Sequence, residues 1–242
     1  MSAILRVKQQ ESLSRKRPVD LRARLLRYQS CLLFTVVLVV TLVHHFCFPH
    51  PKVALIYDSV HYLQTCRTIT EFFISLFHGC FDPNRLFDPS VSAQLLLDGP
   101  TFPLIYALPF AMFQHVPEYT DWRVLIIGQS ILHGLSACLV ASISLKIIEH
   151  RLTSLTAGLV WGLYPTAIIA SGLFLTETTA VFLALLFTWS ILDSPANLLK
   201  RLMAGLTAGL LIMLKPALIP ATIASILVFC FHATKRRFTL LL

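Results

Sequence analysis

Long apolar runs separated by short polar segments set the hydrophobic pattern of this chain. The first run covers residues 28–48, which is about the 20 residues that a membrane-spanning helix needs. Further apolar segments follow at 101–116, 122–145, 152–175, 178–192, 202–214 and 217–231. The pattern predicts an all-α fold, a polytopic transmembrane helical bundle in a multi-pass integral membrane protein.

The composition indicates that the lipid bilayer surrounds most of the chain. Hydrophobic residues make up 56% of it and charged residues 13%, against about 25% charged residues in an ordinary soluble domain. The net charge of +8 suggests a nucleic-acid partner, but the basic residues form short clusters between apolar runs rather than one continuous face. We therefore predict no nucleic-acid partner. The six cysteines are scattered and the histidines match no ligand spacing, so no metal site is assigned.

Polarity divides the chain into four regions. Residues 1–27 are basic, and the positive-inside rule predicts that they stay in the cytoplasm. Residues 28–48 are too long for the core of a signal peptide and carry no small-residue cleavage site, which predicts a retained first transmembrane helix. Residues 49–100 are interpreted as an outer loop, and residues 101–242 as a further transmembrane helical region.

Whether the segment 101–116 crosses the membrane decides which side each later loop faces. The segment is short and contains Pro103 and Pro109. If it dips into the membrane or lies at its surface without crossing, every later basic cluster lies in the cytoplasm and Glu177 faces the outer side. If it crosses, the basic clusters move outside and Glu177 moves to the cytoplasm. We predict the first arrangement, because it satisfies the positive-inside rule.

The outer loop contains the pattern of an amphipathic helix. Apolar residues recur at spacings of three and four from Val60 onward, at Leu63, Ile69, Phe72, Phe73, Leu76 and Phe77. Gly79 is a plausible end signal for this helix. Such a helix is predicted to lie flat on the membrane surface.

Asp58 is the first candidate for chemistry, since it precedes this helix within ten residues of the first span. A carboxylate held at the rim of the bilayer can act as a general base that deprotonates an acceptor hydroxyl. Asp is also a preferred helix N-cap, and by spacing alone the capping role is favoured. The two roles are compatible with each other.

Glu177 and Lys215 are further candidates, because each interrupts apolar sequence. An ionisable group at membrane depth costs about 2.5–3.5 kcal/mol at a helix centre and therefore marks function by default. An ammonium at Lys215 could pair with a lipid phosphate, and Arg67 on the predicted surface helix could do the same. The alternatives are an interfacial Glu177 in a short turn and a snorkelling Lys215 at a helix end.

Four local patterns together resemble the membrane glycosyltransferases that use polyprenyl-phosphate sugars, the GT-C superfamily of protein mannosyltransferases and bacterial aminoarabinose lipid A transferases. They are Tyr57-Asp58 through Tyr62 in the first outer loop, GPTFPLIY at 99–106, Tyr164-Pro165 followed by SGLFLTET at 171–178, and the helix from Ala204-Gly205-Leu206 to Lys215-Pro216. The resemblance covers residues 53–231, and its motifs are short.

The resemblance implies a transferase that moves a sugar from a polyprenyl phosphate to an acceptor glycan, lipid or protein on the non-cytoplasmic face, in the bacterial inner membrane. By the same resemblance, Asp58 is the catalytic base and Glu177 a second acid, while Lys215, Arg67 and Tyr62 bind substrate. It assigns no certain cofactor and leaves a divalent metal ion open.

This sequence departs from the family in lacking a second acid directly after Asp58. It also ends near a cluster of three basic residues where relatives continue, which predicts an N-terminal fragment. The competing interpretations are a subunit of a transporter or permease, and a truncated membrane protein without catalytic activity.

Overall fold

The computed structural model describes residues 28–47, 57–80, 101–118, 122–173, 176–192, 198–215, 218–220, 222–224 and 227. These residues are helical or form short connections, and none of them lies in a β-strand, so the all-α prediction is confirmed for them. Within the described residues, the eight helices of more than one turn are α1 (Tyr28–Cys47), α2 (Tyr57–Phe77), α3 (Thr101–Met112), α4 (Trp122–Ile148), α5 (Arg151–Gly162), α6 (Pro165–Ser171), α7 (Thr176–Leu192) and α8 (Leu198–Leu214).

Two of the described helices are long and apolar enough to cross a membrane, namely α1 and the Arg123–Ile148 part of α4. The pair α5 and α6 counts as a third if its two halves form one span, and these halves are bent by 54° at the break between them. Helix α3 has 12 residues, a length of about 18 Å, whereas the hydrocarbon core of a bilayer is about 30 Å thick. Whether 101–116 crosses the membrane stays a prediction.

Helix α2 is the helix predicted in the outer loop, and it begins at Tyr57. It ends just before Gly79, whose φ of 72° is the left-handed conformation that glycine adopts at helix ends. Its buried residues Leu63 and Cys66 belong to the same apolar cluster as Phe102 of α3. Much of the predicted apolar face therefore packs against protein.

One apolar cluster joins α2, α3, α4, α7 and α8. Each helix contributes at least one buried side chain to it, among them Leu63, Phe102, Leu125, Leu183 and Leu211. A hydroxyl links two of the helices through their backbone, since Thr101 Oγ1 donates a hydrogen bond to the carbonyl of Leu210 at 3.2 Å. This cluster fixes the start of α3 against the last turns of α8.

Helices α1, α4 and α5 meet through small residues. Gly158 and Gly162 are one turn apart on α5, and they face Leu33 and Val37, which are one turn apart on α1. Ala137 of α4 contacts both glycines. Small residues at this spacing allow helix backbones to approach closely, which is how helices associate where lipid removes the usual hydrophobic driving force.

Gly158→Ala is expected to destabilise the protein although alanine is normally the better helix former. A Cβ at Gly158 would lie 2.8 Å from Leu33 Cδ2 and 2.9 Å from the Ala137 carbonyl oxygen, and a backbone atom has little room to move. Overpacking of this kind costs about 1–3 kcal/mol. The matched control is Gly205→Ala in α8, where a Cβ would meet nothing within 4 Å. Thermal unfolding in detergent should show an unchanged or higher unfolding midpoint for this variant. Equal midpoints for the two variants would contradict the close packing of α1 on α5.

The break between α5 and α6 lies at Leu163 and Tyr164, directly before Pro165. Proline disfavours helical conformation in the residue before it and cannot donate the next helical hydrogen bond. The carbonyl of Gly162 at this break accepts a hydrogen bond from His133 Nε2 of α4 at 3.0 Å. The apolar segment predicted as 152–175 is therefore two helices, with a side chain from α4 supplying a donor at the break.

Helices α7 and α8 form an antiparallel pair with a charged group at each end. Lys215, which follows α8, contacts Glu177 in the first turn of α7. At the other end, Lys200 in the first turn of α8 lies over the ring of Trp189 near the end of α7. The rise along α7 from Glu177 to Trp189 is about 18 Å. These two contacts define a Glu177 end and a Trp189 end of the helical assembly.

Candidate functional site

An ion pair marks the Glu177 end. Lys215 Nζ donates to Glu177 Oε1 at 2.6 Å. A carboxylate in the first turn of a helix and an ammonium just after a helix both complement the helix dipole, so local sequence favours each group where it stands. The side chains are 49% exposed for Glu177 and 39% for Lys215. Both can therefore contact a ligand without losing their contact with each other.

A cavity of about 190 Å³ lies beside the ion pair, and its walls are largely apolar. Helices α4, α5, α6 and α7 and the break between α5 and α6 form these walls. The lining residues are His133, Ser136, Trp161, Tyr164, Thr166, Ala167, Ala170, Glu177, Thr178 and Val181. Glu177 thus belongs both to the ion pair and to the cavity wall, and the break in α5–α6 forms part of the opposite wall.

His133 is the buried ionisable group in the cavity wall, with 2% of its surface exposed. A carbonyl oxygen can only accept, so the bond to Gly162 requires the imidazole proton on Nε2. In the neutral ring, Nδ1 is then an acceptor. Ser136, one turn along α4, donates its hydroxyl to the carbonyl of Leu132 at 2.8 Å. Together His133 and Ser136 form a polar strip within an otherwise apolar wall.

A second buried histidine attaches the end of α1 to this region. Ser171 Oγ donates its one proton to the carbonyl of Ile168 at 2.7 Å, so His45 Nε2 must be the donor in the 3.1 Å contact with Ser171 Oγ. Gly172 packs directly against the His45 ring. The end of α1 therefore lies at the end of α6, a few residues before Glu177 in the chain.

Asp58 lies in the first turn of α2, one residue after the helix begins at Tyr57. The backbone therefore places it inside the helix rather than at the N-cap, within the margin of one or two residues that helix ends allow. Its side chain lies outside the described part of the structure. A carboxylate in the first turn also interacts favourably with the helix dipole.

A chain of contacts connects the first turns of α2 to the end of α8. The Tyr62 ring, one turn after Asp58, meets the Phe102 ring edge-on with centroids 5.0 Å apart. Thr101, next to Phe102, donates to the carbonyl of Leu210 in the last turns of α8. The turn of α2 that carries Tyr62 is thus linked through α3 to the last turns of α8.

Arg67 is placed differently from the other predicted substrate-binding residues. Its Nε lies 3.2 Å from Glu71 Oε1, one turn further along α2, and the Arg67 side chain is 56% exposed. The contacts described for Arg67 do not connect it with Glu177 or Lys215. Its predicted role in phosphate binding stays a prediction.

Sequence reasoning missed His133 and gave His45 no role. A signal for His133 was available, because an ionisable residue inside a span of 26 residues marks a functional position by default. Among the described residues, no group of three His, Cys, Asp or Glu side chains is arranged to hold a metal ion.

Comparison with known proteins yields no relative. No family model, curated protein or solved structure matches this chain. The resemblance of its local motifs to polyprenyl-phosphate-dependent transferases therefore remains a prediction. The assignment of function depends on the geometry at the Glu177 end.

Proposed function

We propose that this protein is a multi-pass membrane glycosyltransferase that moves a sugar from a polyprenyl phosphate to an acceptor on the non-cytoplasmic face. One observation carries the proposal: Glu177, which forms an ion pair with Lys215, lines an apolar cavity. A polyprenyl phosphate sugar combines an apolar chain with an anionic phosphate. This site offers an apolar cavity lined by Glu177, and the Lys215 ammonium lies 2.6 Å from the Glu177 carboxylate. Ligand pockets commonly pair apolar walls with a few polar groups that fix orientation.

In the proposed reaction, Asp58 removes the proton from an acceptor hydroxyl. The acceptor oxygen then attacks the anomeric carbon of the sugar, and the bond between that carbon and the phosphate oxygen breaks. The electron pair of this bond leaves with the polyprenyl phosphate, whose added negative charge Lys215 stabilises. Glu177 holds the Lys215 ammonium in position through the 2.6 Å contact.

The proposed topology places the Glu177 end on the non-cytoplasmic side of the bacterial inner membrane, with residues 1–27 in the cytoplasm. It follows from the antiparallel order of the helices. Ser30 near the start of α1 contacts Cys138 in the second half of α4, and His45 near the end of α1 contacts Ser171 at the end of α6. Lys146 and Lys200 then share the opposite, cytoplasmic end, as the positive-inside rule favours.

Cysteine labelling tests whether α3 crosses the membrane. Cys80 precedes α3 and is exposed, and Glu118, which follows α3, is exposed as well. In single-cysteine variants, the Cys80 thiol and the thiol introduced by Glu118→Cys should both react with an impermeant maleimide added outside intact cells. Cys66 should not react, because burial raises the pKa of its thiol to about 12 and blocks access. Labelling of the first two from opposite sides would show that α3 crosses.

The direct test of the proposed function is a transfer assay with the purified full chain in lipid vesicles. The donor is a polyprenyl phosphate that carries a radiolabelled sugar, and a bacterial membrane extract supplies acceptors. We expect radioactivity to leave the donor and appear on an acceptor glycan, lipid or protein. Donor that stays intact, together with no saturable binding of unlabelled polyprenyl phosphate, would overturn the proposal.

A transporter is the second candidate, and the break in α5–α6 favours it. Transporters often form their binding sites from discontinuous helices, and here the two halves are bent by 54° with the His133 imidazole at the break. In that case Glu177 and His133 would line a path for an ion or a polar substrate. Proton flux into vesicles that depends on Glu177, without any sugar transfer, would favour this candidate over the transferase.

A further inference from the structure

The short helix α6 supplies one wall of the cavity and is held near each end by a histidine from another helix. In front of α6, the carbonyl of Gly162 accepts a hydrogen bond from His133 of α4. At the end of α6, the Ser171 hydroxyl contacts the His45 ring of α1. The residues of α6 that line the cavity between these two contacts are Thr166, Ala167 and Ala170.

Helix α6 has little else to fix its position. Two of its seven residues, Ile168 and Ser171, are buried. Its N-cap residue, Tyr164, forms no side-chain hydrogen bond to the helix. The chain also bends by 54° in front of α6, so α6 does not continue the axis of α5. The contacts at its two ends therefore contribute much of what holds this wall in place.

Both contacts use the same atom of the histidine ring. His133 Nε2 lies 3.0 Å from the Gly162 carbonyl oxygen, and His45 Nε2 lies 3.1 Å from Ser171 Oγ. The carbonyl can only accept, and the Ser171 proton is already donated to Ile168, so Nε2 is the donor in both contacts. Both histidines are buried, and a buried acceptor that loses its donor is costly.

The His45 ring also fixes the chain just after α6. A Cβ at Gly172 would lie 2.6 Å from His45 Nδ1, so the ring packs directly on the backbone there. Glu177 follows a few residues later, in the first turn of α7. The His45 contact therefore holds the chain shortly before the carboxylate that lines the cavity and pairs with Lys215.

We propose that His133 and His45 are positioning residues of the donor site, which hold α6 as the wall against which the apolar chain of the donor packs. The inference rests on the proposed function for the identity of that ligand. Loss of either N–H group releases one end of α6, and the apolar chain of the donor then loses contact with the wall. Donor binding weakens, whereas the chemical step at Asp58 and Lys215 keeps its rate.

Glutamine and asparagine substitutions test whether the N–H group must stand at the Nε2 position. The amide nitrogen of glutamine is as many bonds from Cβ as histidine Nε2, and that of asparagine is one bond closer. In the transfer assay with the full chain in vesicles, His133→Asn should raise the donor KM by about 5- to 30-fold at unchanged kcat. His133→Gln should stay within about threefold of the wild type. Equal KM values for the two variants, or a loss in kcat alone, would overturn the inference.

The same order is expected at the other end of α6, for His45→Asn and His45→Gln, and this pair decides if His133→Asn does not fold. The matched control is Thr70→Val, which removes a buried hydroxyl that lies 3.4 Å from the Ala107 carbonyl oxygen, between α2 and α3. It should keep the donor KM of the wild type. An equal rise in KM for Thr70→Val would show that any loss of buried hydrogen bonding produces the effect, which contradicts a specific role for α6.

Thiol labelling without donor separates this inference from the proposed function. Ala167→Cys in a chain without other cysteines places a thiol on the α6 wall. Its rate of reaction with N-ethylmaleimide should change by at least about threefold when His133→Asn is added, and stay near the original rate with His133→Gln. An unchanged rate with His133→Asn would overturn the inference whatever the transfer assay shows. A changed rate in a chain that neither binds polyprenyl phosphate nor transfers sugar would refute the proposed function and still support the role of His133 in holding α6.

Discussion

Asp58→Asn is expected to lower the rate of sugar transfer by about 10²- to 10⁴-fold, the range that general-base catalysis contributes. Asparagine has nearly the shape of aspartate but cannot accept the proton of the acceptor hydroxyl. Transfer from a polyprenyl phosphate carrying a radiolabelled sugar measures the effect, and donor binding should stay close to that of the wild type. A loss in turnover without a loss in binding is the expected sign of a catalytic base.

This substitution also separates the two roles that the sequence allows for Asp58. Asparagine is as good as aspartate at the start of a helix, so the asparagine variant should keep the thermal stability of the wild type if capping is the main structural role. Asp58→Ala should lose transfer as well, and if Asp58 caps α2 this variant should also lose about 1 kcal/mol of stability. Asp121→Asn, which changes an acid shortly before α4, is the control for a change of charge alone. Undiminished transfer by the asparagine variant would refute the assignment of Asp58 as the base.

Lys215→Glu is expected to have the largest effect on folding, about 2 kcal/mol or more of lost stability. The substitution replaces the ion pair with two carboxylates at the position where Lys215 Nζ and Glu177 Oε1 now lie 2.6 Å apart. Helices α7 and α8 have 17 residues each, a length of about 25 Å, which is less than the hydrocarbon thickness of about 30 Å. In the proposed topology the pair therefore lies close to lipid, where like charges are poorly screened.

Reversing the charge of Glu177 as well tests this explanation. Glu177→Lys in the Lys215→Glu background restores opposite charges, and thermal unfolding in detergent should show most of the lost stability recovered. Arg67→Glu is the matched control, since Arg67 pairs with Glu71 on the exposed side of α2, and its effect should stay below about 1 kcal/mol. An equal loss for Lys215→Glu and Arg67→Glu, with no recovery in the double reversal, would mean that the Glu177 pair behaves as an ordinary surface pair.

The prediction that Glu177 and Lys215 share one side came from the alternation of spans, which needs only the order of apolar and basic segments. The sequence could not give their contact, because that depends on how α7 packs against α8 for two residues 38 positions apart in the chain. The prediction for α2 succeeded in part. The spacing of its apolar residues predicted the helix. It did not predict that the apolar face packs against α3, since spacing alone does not distinguish a lipid surface from a protein surface.

The sequence by itself determined which segments are helical, because apolar periodicity, glycine and proline act within a few neighbouring residues. It determined the short length of α3 and the presence of Pro165 at the break in α5–α6. Only the tertiary structure decided that His133 bonds to Gly162 and that Gly158 faces Leu33. These contacts join residues far apart in the chain, and close packing of three helices selects them. Helix α2, which lies within the long loop after the first span, is thus through α3 part of the same packed assembly as the Glu177 end.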